Sequence, residues 1–203
     1  MRSQYNYQWE FAAVVLRDAD SGSINCLCVG LKDEDSERAS LVSMLKLSPD
    51  RAFDIHWLPS SLVWLTCSDI SCQCGRISDQ LWAVQERTGL HGSAYGKNLI
   101  FNEDNKIDVD QAIINLTAIL DECARLRART DNAMRLLVPL KRATIRGNGA
   151  DGRSCEPWVK EILDRSEQTL LGSQEYLQWF QATTSSHLQT VRTCASCYGL
   201  FLA

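Results

Sequence analysis

Nine cysteines and three histidines are the residues of this 203-residue chain with the widest chemical reach. Cys194 and Cys197 form its Cys-x-x-Cys. Three apart, they share one face of a helix, the placement that a metal ion or a dithiol couple needs. A closed zinc site wants four ligands. The candidates for the other two are Cys72 and Cys74, which are set differently and lie far away in sequence. Cys26 and Cys28 would fall on one face of a strand, with no histidine or second pair close by. Cys67 and Cys74 recur in step with apolar residues and read as small core side chains. His56, His91 and His187 stand in no nucleophile or metal motif, and His187 is expected at a packing seam.

Other patterns lose their chemistry on inspection. Gly147 to Gly152 spells G-x-G-x-x-G, but a dinucleotide site needs that motif between a strand and a helix. Here it follows a basic helix end and reads as a linker. Asp104, Asp108 and Asp110 lack the glycine and the terminal glutamate of a calcium loop. Asp108 is better placed as a helix N-cap, with Gln111 completing a capping box. Gly92 to Gly96 has Ala94 where a nucleophile elbow has serine.

Composition narrows the class further. The chain is 45% hydrophobic and 23% charged, too apolar for general disorder. Its longest purely apolar run, Phe11 to Leu16, is six residues, so no membrane span is expected. A net charge of -4 and a pI near 5.4 argue against a nucleic-acid partner. Arg125, Arg127, Arg129, Arg135, Lys141, Arg142 and Arg146 nevertheless crowd one segment, read as a solvated helix face. The polar N-terminus has no signal-peptide core, and the odd cysteine number fits reduced thiols, so a cytoplasmic location is expected.

The elements that must position these residues are mostly helices. Val63, Cys67, Ile70, Cys74, Ile77, Leu81, Val84 and Thr88 recur at alternating steps of four and three, a packing stripe. Pro59 suits the first turn of that helix, Gly89 its stop, and Gly75 in its interior marks a bend or a close crossing. A second stripe runs through Val109, Ile113, Leu116, Leu120, Cys123, Thr130, Met134 and Leu137. There Leu126 takes the inward place of Arg127, and a kink or end is expected near Val138, before Pro139. A third helix opens at Glu156, with Val159, Ile162, Leu170, Leu177, Phe180 and Val191 inward. Upstream, residues 9–16 and 24–31 flank a turn cluster and read as a β-hairpin. A short helix from Ser36 to Leu47 follows, with Leu41, Met44 and Leu45 or Val42 inward. Then comes an extended arm through Phe53, Ile55 and Trp57.

The order of these pieces resembles fungal proteins related to the CorA divalent-cation transporters. The resemblance is carried by IHWLPSSLVWL, by the helix end LWAVQERTGLH, by NKIDVDQAIINLTAIL with RARTDNAMRLL, and by EILDRSEQTLLGSQEYLQWFQATTSSHLQTV. It spans most of the chain, with ERTGLH its most specific motif. It implies an α/β cytosolic region with long helices and a late stalk helix leading into a pentameric magnesium pore. The Gly-Met-Asn signature of that pore does not occur here, so the chain is expected to lack a pore of its own, as a truncated or repurposed relative. Magnesium is the one ligand that the resemblance implies, and no metal-site residue can be carried over.

The expected architecture is therefore α+β and predominantly α: an N-terminal β-hairpin or small sheet followed by three long antiparallel amphipathic helices. The expected divisions are a small α/β region at 1–58, a long-helix hairpin at 59–146, a linker at 147–156 and a stalk-like helix at 157–203. The expected function is non-catalytic: a cytoplasmic coiled-coil-like bundle that associates with itself or with full-length transporter-like helical partners. The alternative is a cysteine-based zinc-binding or redox-sensitive interaction protein using Cys194 and Cys197.

Overall fold

The computed structural model describes residues 12–17, 24–29, 39, 42, 43, 46, 55–90, 109–146 and 157–201. Three long helices dominate them: α1 at Trp57–Thr88, α2 at Val109–Arg146 and α3 at Pro157–Phe201. The α+β expectation is corrected to α. All described buried side chains lie on these helices, so an N-terminal hairpin or small sheet is not supported as part of the fold. The extended segments Ala12–Arg17 and Ile24–Val29 are matched only to one another. Two strands alone are marginal and, among the described residues, add no layer. Ala39, Val42, Ser43 and Lys46 are helical and exposed, so Val42 is not inward. Leu41, Met44, Leu45 and Phe53 lie outside the described residues.

Local sequence explains the bounds of α1. The expected extended arm gives way to a turn at Ile55 and His56, and Trp57 already opens the helix. The amide of Ser60 donates to the His56 carbonyl at 3.1 Å, and Ser60 Oγ donates to the same oxygen at 2.7 Å. Pro59 is tolerated because first-turn amides have no intrahelical acceptor. At the other end Gly89 takes φ 69°, and the Leu90 amide donates to the Gln85 carbonyl at 3.1 Å. That is the left-handed glycine stop in which a residue past the end reaches back to the last turn.

Two interior expectations are corrected in part, the crossing at Gly75 and the helix end at Val138. Gly75 is exposed and a Cβ there would meet nothing within 4 Å, so it serves no close crossing among the described residues. Pro139 neither ends α2 nor stops its pattern, since the helix runs on to Arg146. Pro139 and Arg135, whose carbonyl loses its i+4 donor, both lie on the exposed side, so the missing bond falls on the solvent face of the helix.

The chain divides into two compact units, each drawing on all three helices. One comprises Met1–Thr66 with Arg135–Glu167. Its core is built on Trp57, Leu58, Leu62, Val63, Leu137, Val159 and Leu163. Trp57 meets Trp158 edge to face at 6.3 Å, and Lys141 Nζ bridges Asp164 at 2.6 Å and Glu167 at 2.7 Å, tying α2 to α3.

The other unit comprises Cys67–Met134 with Gln168–Ala203. Ile70, Ile77, Leu81, Leu116, Leu126, Leu170 and Leu177 are its largest fully buried side chains. Burying one such leucine stabilises the fold by about 1.5–3 kcal/mol. Its cross-helix contacts fix the directions. Arg129 pairs with Asp69 at 2.8 Å while Cys123 neighbours Cys74. Gln174 Nε2 donates to Asp131 at 2.9 Å while Arg127 reaches Gln181 at 3.4 Å. Gln85 Nε2 meets His187 Nε2 at 2.7 Å while Cys74 reaches Ser173. In this unit α1 and α2 are therefore antiparallel, α2 and α3 are antiparallel, and α1 and α3 run the same way.

Candidate functional site

The expected stripe of α1 lies in the interior, and that of α2 does so in part. On α1, Val63, Cys67, Ile70, Cys74, Ile77, Leu81 and Val84 are all buried. On α2, Leu116, Cys123, Thr130 and Leu137 are buried, whereas Val109, Ile113, Leu120 and Met134 are intermediate. The buried places beside them belong to Ala112, Ile119, Leu126 and Ala133. On α3, Leu163 lies deeper than Ile162. At 112/113 and 133/134 the inward place goes to the smaller of two adjacent apolar residues, as a close helix approach requires, whereas Ile119 over Leu120 and Leu163 over Ile162 follow from register and not from size. The unbroken four-three register of Ala112, Leu116, Ile119, Cys123, Leu126, Thr130, Ala133 and Leu137 was the signal available.

The cysteines assemble no site among the described residues. Cys67, Cys74 and Cys123 are buried, Cys72 is exposed and Cys194 is intermediate. Cys74 on α1 lies within hydrogen-bond reach of Ser173 on α3. Cys194 is some twenty residues further along α3, about 30 Å at 1.5 Å per residue, so it shares no ligand set with Cys72 or Cys74. No group of three or more His, Cys, Asp or Glu side chains able to hold a metal occurs among the described residues. Burial pushes the Cys74 thiol up, against a lowering by the Ser173 hydrogen bond. Cys123 is pushed up to about 11, first by burial and then by the neighbouring Cys74 and Glu122 charges. Thiols held protonated in this way are poor nucleophiles. Asp104, Asp108, His91, the segment 147–152 and the side chains of Cys26, Cys28 and Cys197 lie outside the described residues.

The basic run on α2 is largely engaged with its neighbours. Arg125 bonds Glu122, Arg127 reaches Gln181 at 3.4 Å, Arg129 holds Asp69 and Lys141 holds two carboxylates. His187 sits at the seam between α3 and α1, where burial lowers its pKa from the ordinary 6.5. Its Nε2 accepts from Gln85 at 2.7 Å in the neutral imidazole carrying its proton on Nδ1. His56 is half-buried and its carbonyl serves the start of α1.

What remains is a surface. On α3, Leu171, Tyr176 and Trp179 are exposed by 41%, 63% and 56%. Phe180, buried in the core, anchors both aromatic neighbours. Tyr176 stacks on it at 6.3 Å and 24°, and Trp179 meets its edge at 5.2 Å and 61°. The two outward rings are therefore held in place by a ring that cannot move freely, as preorganised contact residues should be. Around them, the stretch 168–191 carries one ionised side chain, Glu175. The sequence reading passed over Tyr176 and Trp179 because it followed the inward stripe. The signal was a charge-poor stretch, 168–191, within a helix whose flanking turns carry Lys160, Glu161, Asp164, Arg165 and Arg192.

No protein-family model, curated protein or solved structure matches this chain. None of the described helices is long and apolar enough to cross a membrane.

Proposed function

We propose that this protein is a non-catalytic, cytoplasmic helical interaction protein that binds other helices through the outward face of α3, and that its kinship lies with the soluble region of CorA-like transporters. The observation that carries the reading is the pair Tyr176 and Trp179, more than half exposed yet braced on buried Phe180. Water-facing aromatic rings on a charge-poor stretch of helix are the composition of an interface centre. The inward stripes support the same conclusion by elimination. They are consumed within the units, so a partner must meet a different face. The kinship rests on the ordered motifs from IHWLP to ERTGLH and on the 45-residue length of α3, which suits a stalk.

A photo-activatable residue placed at Trp179 in living cells tests the interaction. Covalent adducts mapped to a helical segment, of this protein or another, are expected at position 179, with none at exposed Arg142 as the control. Equal labelling at both positions, or none at either, removes the reading. The kinship has its own test in the genomic sequence after Ala203. Two apolar spans with Gly-Met-Asn between them support it, and their absence counts against it.

A further inference from the structure

Gly172 and Trp179 stand seven residues apart, so they lie on one line along α3, about 10 Å from each other. A Cβ on Gly172 would meet nothing within 4 Å. Among the described residues no close approach accounts for a glycine there, although glycine is the least favourable helix residue after proline. The outward face of α3 thus carries a notch and, two turns on, a knob. Tyr176 lies between them in height.

We propose that this face pairs with the same face of a second copy, antiparallel about a two-fold axis near residues 175 and 176, so that each Trp179 seats over the partner's Gly172. The inference rests on the reading of α3 as an interaction face and names its occupant. A notch and a knob on one line are self-complementary under such an axis, because the operation that places Trp179 on the partner's Gly172 also makes the reciprocal contact. Charge opposes the pairing at one place: exposed Glu175, the one Asp, Glu, Lys or Arg of the stretch 168–191, lies beside the axis and faces its own copy, so added salt should tighten the dimer.

Area sets the strength. Tyr and Trp side chains present about 150–250 Å² each when fully buried. With more than half of both exposed and Leu171 at the edge, about 300 Å² of side chain per copy is available. With flanking Gln and Thr atoms, a two-fold contact reaches about 1,000 Å² in total, the lower end for a specific interface. The expected complex is therefore a reversible dimer with a dissociation constant on the order of micromolar, and not an obligate one.

Sedimentation of the full chain under reducing conditions, from about 1 µM to about 500 µM, brackets that constant. A concentration-dependent monomer–dimer equilibrium is expected, with Trp179→Ser and Gly172→Leu each weakening it by at least about 10-fold. Gly172→Leu is the sharper variant. Its Cβ enters open space and leucine is the better helix residue, so its melting temperature should be equal to or above that of the parent. A dimer indifferent to both substitutions overturns the proposal, as does a chain that stays monomeric throughout the range. In the latter case adducts from position 179 to another protein would leave the broader reading standing, whereas no adducts at all would remove both.

Discussion

Replacing Thr184 by valine should stabilise this protein, although threonine is what the chain carries. Thr184 is fully buried, and its hydroxyl has no hydrogen-bond partner among the described residues. Thr130 makes an internal control. It is equally buried, but its Oγ1 donates to the Leu126 carbonyl at 2.8 Å, one turn back. An unsatisfied buried hydroxyl costs about 1–3 kcal/mol, whereas a satisfied one contributes about 1 kcal/mol net. Valine keeps the shape of threonine and replaces the hydroxyl with a methyl group. Thr184→Val therefore removes the penalty and gains about 1–2 kcal/mol, while Thr130→Val exchanges a hydrogen bond for apolar burial and lies near zero. For a chain of this length the gain corresponds to about 2–8 °C in melting temperature. Urea unfolding followed by circular dichroism measures it, with the slope of the transition checked for constancy between variants. If Thr184→Val destabilises the fold, or matches Thr130→Val within about 0.3 kcal/mol, the hydroxyl has a partner and the reasoning fails.

Three further outcomes follow from the same geometry. Gly75→Ala should stabilise by about 0.5–1 kcal/mol in chemical unfolding, because the position is helical, exposed and open to a Cβ; a loss would mean that the backbone at that point is not plainly helical. Burial favours neutral His187 in the folded state, so its contribution is whole above pH 6.5 and is lost as pH falls through its lowered pKa. The acid-side slope of stability should then flatten in His187→Gln, and an unchanged slope would assign it to other groups. Thiol labelling at neutral pH should modify exposed Cys72 quickly and leave Cys74 and Cys123, buried and with raised pKa values, protected until unfolding; rapid labelling of Cys123 in the folded state would contradict its place in the core.

Much of the helical framework was legible from spacing alone. The four-three run from Val63 to Val84 reads the same in sequence and in burial, because only one register of a helix puts that many apolar residues on one line. Gly89 as the end of α1 was equally plain, since left-handed backbone is a local demand that glycine meets. The stripe of α2 was harder. Choosing between Ala112 and Ile113, or Ala133 and Met134, depends on how closely the neighbouring helices approach, which no local rule contains. Joining Cys194 to Cys72 or Cys74 lay beyond local reading for a related reason. Cys-x-x-Cys is a local pattern, but the other half of a site has to come from elsewhere in space, and α3 carries Cys194 far from the level of Cys74.

What the sequence determined by itself was therefore periodic and local: three long helices, their inward lines, a proline entry and a glycine stop. These follow from interactions within a few residues of each other. The tertiary structure alone decided the class α over α+β, the passage of α2 through Pro139, and the engagement of the basic run with carboxylates and amides on neighbouring helices. It also decided that Tyr176 and Trp179 stand in water on a buried Phe180. Each of these depends on which helix faces take one another out of solvent, and that competition is settled only when all three pack.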